Sequence, residues 1–266
     1  MSDFWNQIQT FAETNAYHIG QQLLKEFGKV QSREKADGSL VTQADEWSDR
    51  TLQNAIAETF PNHGILTEEQ TRTFPNREWC WVIDPLDGTT NFARGIPVWG
   101  VSLGLLHWGN PVFGHVYFPP IQQTLQGIYT DQHQEATING QPLKPSQDQL
   151  TSNHFFSFCS RSIDFYQPPF PCKVRMLGVA SYNLLTVAIG STLGAVEATP
   201  KVWDLAGTVP ILQAAGVVWK SLGSDPIFPL TPGKDYTRVS CPSLVVARED
   251  LLETFAGLGE SLRETS

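Results

Sequence analysis

The sequence predicts a layered α/β (α+β) fold, and three observations carry the prediction. Two long amphipathic helical stretches precede any strand, the hydrophobic period then shortens to that of buried strands, and strands and helices alternate beyond residue 150. With 266 residues, 41% of them hydrophobic, the chain has material for a sizeable core. No apolar run reaches the roughly 18 residues of a membrane span. The opening "MSDFWNQIQTFAETN" lacks the basic and apolar regions of a secretory leader, so a cytoplasmic protein is expected.

Residues 3 to 28 carry Phe4, Ile8, Phe11, Ile19, Leu23 and Phe27 at intervals of three, four or eight, the stripe of one helix. A second helix is predicted within "SLVTQADEWSDRTLQNAIAETF", with Thr42 as N-cap and Trp47, Leu52, Ile56 and Phe60 recurring towards one face. "GILTEE" and "WCWVIDP" then read as buried strands ending at acids. "VWGVSLGLLHWGNPVFGHVYFP" reads as a hairpin turning at Gly109-Asn110-Pro111. Strands at 124–130 and 134–138, the latter closed by Asn139-Gly140, complete a mixed sheet.

The polar "KPSQDQLTSN" divides an N-terminal α+β half, 1–150, from a C-terminal α/β half, 151–266. In the second half "FFSFC", "KVRML" and "GAVEAT" are expected strands, alternating with helices over 180–189 and 204–215, and a last helix starts near 248. Asp204 is the expected N-cap of a helix ending at Gly216, and Pro210 predicts a kink or early break in it. "IDFYQPPFPCK" is a Pro-rich loop. No repeat or low-complexity linker separates the halves, which are expected to share an extended interface.

A net charge of -9 without a Lys/Arg cluster argues against a nucleic-acid surface, because phosphate neutralisation supplies most of that affinity. Cys80, Cys159, Cys172 and Cys241 show no metal-ligand spacing and read as reduced thiols.

The acids are more telling. Asp84 and Asp87 flank Pro85-Leu86 where a strand gives way to Gly88-Thr89-Thr90. A hard cation such as Mg²⁺ takes oxygen ligands at about 2.1 Å and keeps water and substrate phosphate as further ligands. Two carboxylates on a Pro-restricted turn suit it, with the Leu86 carbonyl as a third donor. A bare Asp-x-x-Asp is more often a turn whose side chains accept backbone N–H groups. Here, however, Gly88 and Thr89 open a predicted short helix, whose first amides favour an anion. Glu68 and Glu69 close the preceding strand. Asp45 has two readings of equal weight, a capping box with Thr42 and a role in catalysis.

Together these residues identify a family. "WVIDPLDGTTNF" resembles the Asp-Pro-x-Asp-Gly-Thr-x-x-Phe signature of the inositol monophosphatase family, and "WDLAG" resembles its second signature. "VTQAD" and "TEE" stand in the family's order. The resemblance implies an αβαβα sandwich and a Mg²⁺-dependent, lithium-sensitive phosphomonoesterase with two or three ions, commonly a homodimer. It implies that Glu68, Asp84 and the Leu86 carbonyl bind one ion, and Asp84, Asp87 and Asp204 another. Asp45, Thr89 and Glu68 would be catalytic, with Asp45 and Thr89 orienting the attacking water. Gly88, Thr89, Ala180, Glu197 and Asp204 would face a small phosphorylated metabolite. Direct attack by water, with no phosphoenzyme, is expected.

Glu197 stands seven residues before Asp204, where inositol-phosphate members of the family carry an acid for ring hydroxyls. That match ranks a polyol phosphate first. Two departures bear on specificity: Thr67 replaces a usual Gly before the Glu pair, and Val179 replaces a usual Ser in "LGVAS". The same scaffold hosts phosphatases of histidinol phosphate, fructose 1,6-bisphosphate and adenosine bisphosphate, and some members bind transcription machinery.

Overall fold

The computed structural model describes residues 2–29, 32–34, 40–166 and 168–255. Helices α1 (Ser2–Glu26) and α2 (Gln43–Thr59) form the first layer, linked by a ribbon of β1 (Ser32–Glu34) and β2 (Leu40–Thr42). Beneath them lies a sheet of β3 (Gly64–Thr67), β4 (Trp79–Asp87), β5 (Gly100–His107), β6 (Asn110–Phe118), β7 (Gln123–Tyr129), β8 (Gln134–Ile138) and β9 (Gln141–Pro142). The strands lie in chain order. β3 runs parallel to β4 and each later pair is antiparallel, so the sheet is mixed as expected. The short helix α3 (Thr89–Arg94) interrupts it between β4 and β5.

Side chains alternate across a strand, and β4 is buried on both faces. Trp81 and Ile83 enter one core with Ile8, Leu23, Leu52 and Ile56 of the outer helices. Cys80 and Val82 enter the other core, which faces the middle of the molecule. There α4 (Ala180–Ala188), α5 (Val202–Ala206) and α6 (Thr208–Ala214) form a helix layer between the two sheets.

The middle layer lies unusually close to the first sheet. Gly104, Gly114 and Gly127 pair across β5, β6 and β7. A Cβ at Gly104 would stand 2.4 Å from the Ala206 carbonyl carbon, and one at Gly114 would stand 1.8 Å from the Gly207 oxygen. The backbone of the α5–α6 joint therefore rests on the sheet itself.

The second sheet holds β10 (Phe155–Phe158), β11 (Lys173–Arg175), β12 (Gly194–Glu197), β13 (Val218–Ser221) and β14 (Ser243–Val246), in the order β11-β10-β12-β14-β13. Residues 251–255 are helical on its outer side, where Phe255 packs on Phe156 with centroids 4.5 Å apart. This completes an αβαβα sandwich. The rest of the predicted last helix lies outside the described residues.

Two expectations are corrected. The β5–β6 hairpin turns at Trp108 and Gly109, with φ of 48° and 80°, and Asn110 already belongs to β6. A two-residue turn of this hand needs positive φ at both central positions, which Pro111 cannot adopt. The helix expected over 204–215 is two helices meeting at Gly207. Pro210 causes no break, because it is the third residue of α6, where its missing N–H has no partner to lose. No helix among the described residues is long and apolar enough to cross a membrane.

Candidate active site

The run from Asp84 to Thr89 is shaped by one proline. Asp84 follows Cys80 and Val82 in parity and so faces the middle layer, 1% exposed. The ladder to β5 then shifts between Asp84 and Asp87, since Pro85 has no N–H to offer it. β4 therefore does not end at Asp84, as the sequence suggested, but bulges and continues to Asp87. Inside the bulge the Leu86 N–H donates to Asp84 Oδ1 at 3.0 Å. Gly88 follows with φ 92°, a left-handed conformation that starts α3.

Asp45 satisfies both of its readings, one with each oxygen. Oδ2 accepts the Thr42 N–H at 2.7 Å and the Thr42 hydroxyl at 2.6 Å, completing the capping box. Oδ1 lies 2.9 Å from Thr89 Oγ1, which is also 3.1 Å from the Leu86 carbonyl oxygen.

Asp204 is not an N-cap. Lys201 caps α5, and its N–H donates at 2.6 Å to Asp204 Oδ2 from the third helical position. The sequence reading erred because a helix starting three residues earlier has the same apolar pattern.

Asp84, Asp87 and Asp204 each offer a carboxylate oxygen, all within 4.8 Å of one another. A cleft of 430 Å³ opens over them, lined also by Glu68, Leu86, Gly88, Thr89, Ala180 and Glu197. Asp45 reaches it through Thr89. Glu69 instead lines a separate depression with Arg33, Glu46 and Arg72. Thr67 lies off the cleft wall: its Oγ1 accepts the amides of Gln70 and Thr71 at 3.1 Å and builds the turn after β3. Val179 does line the cleft, and a Cβ on Gly88 would meet its Cγ2 at 2.7 Å.

α4 supplies what sequence reasoning missed. Ser181 donates its N–H at 2.8 Å, and its hydroxyl as well, to Asp87 Oδ2, while the Ala180 N–H reaches Oδ1 at 3.3 Å. Asn183 Nδ2 donates to Glu197 Oε1 at 2.6 Å. Asn91 ties α3 to the loop before α4, donating to the carbonyls of Val98 at 2.9 Å and Leu177 at 2.8 Å. One signal was available, since buried Ser181 and Asn183 stand in the apolar helix "ASYNLLTVA".

The electrostatics favour a positive charge among these acids. Burial, and then the charges of Glu68, Asp87 and Asp204, push the Asp84 carboxyl well above its ordinary range. Burial and the Asp87 charge do the same to Asp204. Asp87 is raised by burial although the Ser181 and Ala180 hydrogen bonds oppose it. Burial lifts Asp45 to about 6 against the hydrogen bonds from Thr42 and Thr89, and Glu197 to about 8 against that from Asn183. Buried carboxylates at this spacing stay ionised only beside a cation, and an all-oxygen donor set suits a hard ion such as Mg²⁺.

The model of the inositol monophosphatase family matches residues 5–256. The fructose-1,6-bisphosphatase/inositol-1-monophosphatase of Aquifex aeolicus is 32% identical over 219 residues, covering 77% of this chain and 82% of that one. The inositol-1-monophosphatase of Synechocystis is 33% identical over 238 residues, covering 84% of this chain and 80% of its own. Among solved structures, the Thermotoga maritima IMPase has a TM-score of 0.82 at 24% identity, over 97% of this chain and 99% of that one. An IMPase/NADP phosphatase complexed with Mg²⁺ and phosphate has a TM-score of 0.79 at 21% identity, over 95% of each chain. The chain belongs to the inositol monophosphatase family and is a phosphoric monoester hydrolase.

Proposed function

We propose that this hydrolase acts on a small polyol phosphate, with myo-inositol 1-phosphate the first candidate, and that it works with Mg²⁺ by direct attack of water. The observation that carries the reading is the convergence of Asp84, Asp87 and Asp204 within 4.8 Å beside the start of α3. Glu68, Asp84 and the Leu86 carbonyl would hold one ion, and Asp84, Asp87 and Asp204 a second. Bound there, Mg²⁺ would neutralise phosphate oxygens and lower the pKa of a water.

The chain's own groups supply the rest. The Thr89 hydroxyl has one proton and two acceptors in reach, Asp45 Oδ1 and the Leu86 oxygen. Its lone pairs then accept from the attacking water and aim it. The Gly88 and Thr89 amides, at a helix start that lacks carbonyl partners, would receive phosphate oxygens. Glu197, fixed by Asn183, would accept from substrate hydroxyls. The family likeness supports a homodimer, which light scattering on the purified protein would test.

The test is phosphate release from inositol 1-phosphate, histidinol phosphate, fructose 1,6-bisphosphate and adenosine 3′,5′-bisphosphate, with Mg²⁺ or with EDTA. Mg²⁺-dependent release, fastest from inositol 1-phosphate, is expected. A folded protein that releases phosphate equally well in EDTA, or that traps a covalent phosphoryl group, would overturn the mechanism.

A further inference from the structure

Of the acids that line the cleft, Asp84 and Asp87 stand in β4, Glu197 in β12 and Asp204 in α5, whereas Glu68 lies just past the end of β3, on a bend. A residue outside regular structure is placed only as firmly as its turn is held. Thr67, fully buried, closes that turn. Its N–H donates to the Thr71 oxygen at 2.7 Å, and its Oγ1 accepts the Gln70 and Thr71 amides. Arg72 adds a clamp, with Nε 2.7 Å from the Glu68 carbonyl oxygen.

From the other side the turn is met by α2. Asp45, Asp49 and Gln53 are spaced by four and share one face of that helix. Asp45 serves the site through Thr89. Asp49, one turn further on, is fully buried, and the chemistry above makes no use of it. Its Oδ2 accepts from Gln53 Nε2 at 2.7 Å, and Gln53 Oε1 accepts from the Thr71 hydroxyl at 3.3 Å. A carboxylate only accepts, so it decides which end of the Gln53 amide points to it and leaves the amide oxygen for Thr71. Burial raises the Asp49 carboxyl, Thr67 and Gln53 draw it back down, and the Glu68 charge raises it again, so the group stands beside this turn. Its other oxygen, Oδ1, makes no hydrogen bond among the described residues. A buried carboxylate with an unpaired oxygen costs stability, so folding alone does not call for an acid here.

We propose that Asp49 is a positioning residue: by orienting Gln53 it fastens the Thr67–Thr71 turn to α2, and so sets where Glu68 meets the first Mg²⁺ ion. The inference rests on the Mg²⁺ reading of the cleft and deepens it. One face of α2 then serves the site twice, at Thr89 through Asp45 and at Glu68 through the Asp49–Gln53 pair.

The experiment is calorimetric titration of Mg²⁺ into the wild type, Asp49→Leu, Asp49→Asn, Gln53→Leu and the double leucine variant, with melting temperatures measured in EDTA. Asp49→Leu is expected to weaken Mg²⁺ binding about tenfold, the low end for a group that supports a metal ligand. Kinetically, the half-saturating Mg²⁺ concentration should rise by the same factor while kcat at saturating Mg²⁺ is unchanged. Asp49→Asn keeps an acceptor for Gln53 and should restore most of the affinity. Gln53→Leu should match Asp49→Leu, and the double variant should lose no more than either, because the two act in one chain. In the metal-free protein the Gln70 and Thr71 amides should exchange faster in Asp49→Leu than in the wild type. Unchanged Mg²⁺ affinity with a lower melting temperature would assign Asp49 a purely structural role and overturn the proposal, as would fully additive losses in the double variant. Should Asp49→Leu fail to fold, Gln53→Leu decides by the same readouts. A folded wild type that binds no Mg²⁺ would overturn the metal reading together with this one, whereas a failure confined to the variants leaves that reading standing.

Discussion

Asp84 and Asp87 come from one strand end, three residues apart, whereas Asp204 and Glu197 arrive from beyond the middle of the chain, and the two pairs are held by different physics. The first pair is set by covalent geometry: a proline bulge, a left-handed glycine and the helix after it. The second depends on packing. Asp204 is placed by a helix joint lying directly on Gly104 and Gly114 of the first sheet, and Glu197 by a side chain of α4. Asp87 belongs to both worlds, local in sequence yet held by Ser181 of α4. The lesson is that the candidate metal-binding acids are local in part, while their mutual spacing is a property of the whole fold.

The largest expected effect comes from Asp84, which feels the charges of Glu68, Asp87 and Asp204 together. Asp84→Asn should lower kcat/KM by on the order of 10³-fold or more, about 4 kcal/mol of transition-state stabilisation. It should also raise the melting temperature of the EDTA-treated protein, because a buried charge repelled by its neighbours has gone. Near-normal turnover, or a lower melting temperature without metal, would break the idea that electrostatic strain is stored among these acids.

Gly114→Ala attacks the packing-dependent side without touching a carboxylate. The new methyl would need the space of the Gly207 oxygen, so about 3 kcal/mol of destabilisation is expected, near the upper end of overpacking costs. Denaturant melts would measure it. Mg²⁺ affinity should fall as well, since the displaced joint carries Asp204. An unshifted melt would show that the helix layer gives way more easily than the backbone contact implies.

Ser181→Ala removes only one of the two donors that Ser181 gives Asp87 Oδ2, the hydroxyl, because the backbone N–H remains. Losing such a supporting hydrogen bond typically weakens metal affinity about 10–100-fold, and the low end is expected. Calorimetric titration of Mg²⁺ would read it. Ser181→Thr should restore most of the loss, and failure to do so would assign the residue a packing role.

The smallest effect is a pH dependence of the stabilisation by Mg²⁺. Asp45 rises from 3.8 to about 6 and Glu197 from 4.5 to about 8 on folding. A raised carboxyl favours the folded state most below its unfolded pKa and loses that contribution as pH climbs through the folded value. The metal-free protein should therefore weaken between about pH 4 and 8 on account of these groups. Mg²⁺ binding expels protons and offsets that loss, so its shift in melting temperature should be larger at pH 8 than at pH 5.5. An equal or reversed shift would contradict the sign.

The long elements were legible in the sequence because each carries its own period. α1, α2 and the β4–β6 strands bury stripes that repeat within a single segment. β13, β14 and the ribbon β1–β2 were not foreseen, since strands of three or four residues are too short to show a period and are defined by their partners. Asp84, Asp87, Gly88 and Thr89 were readable for the same reason as the helices: their placement at a strand end and a helix start follows from adjacent residues. Ser181 and Asn183 were not, because they act on residues 94 and 14 positions away.

The sequence by itself determined the helix-first α/β class, the phosphatase signature and the residues able to hold a cation, because local conformation and residue chemistry are written in neighbouring positions. The tertiary structure alone decided that Asp45 serves a helix cap and Thr89 with separate oxygens, and that Asp204 sits inside a helix turn rather than at its start. Those outcomes depend on how layers pack, on three glycines that let a helix backbone touch a sheet, and on strands brought side by side from distant parts of the chain.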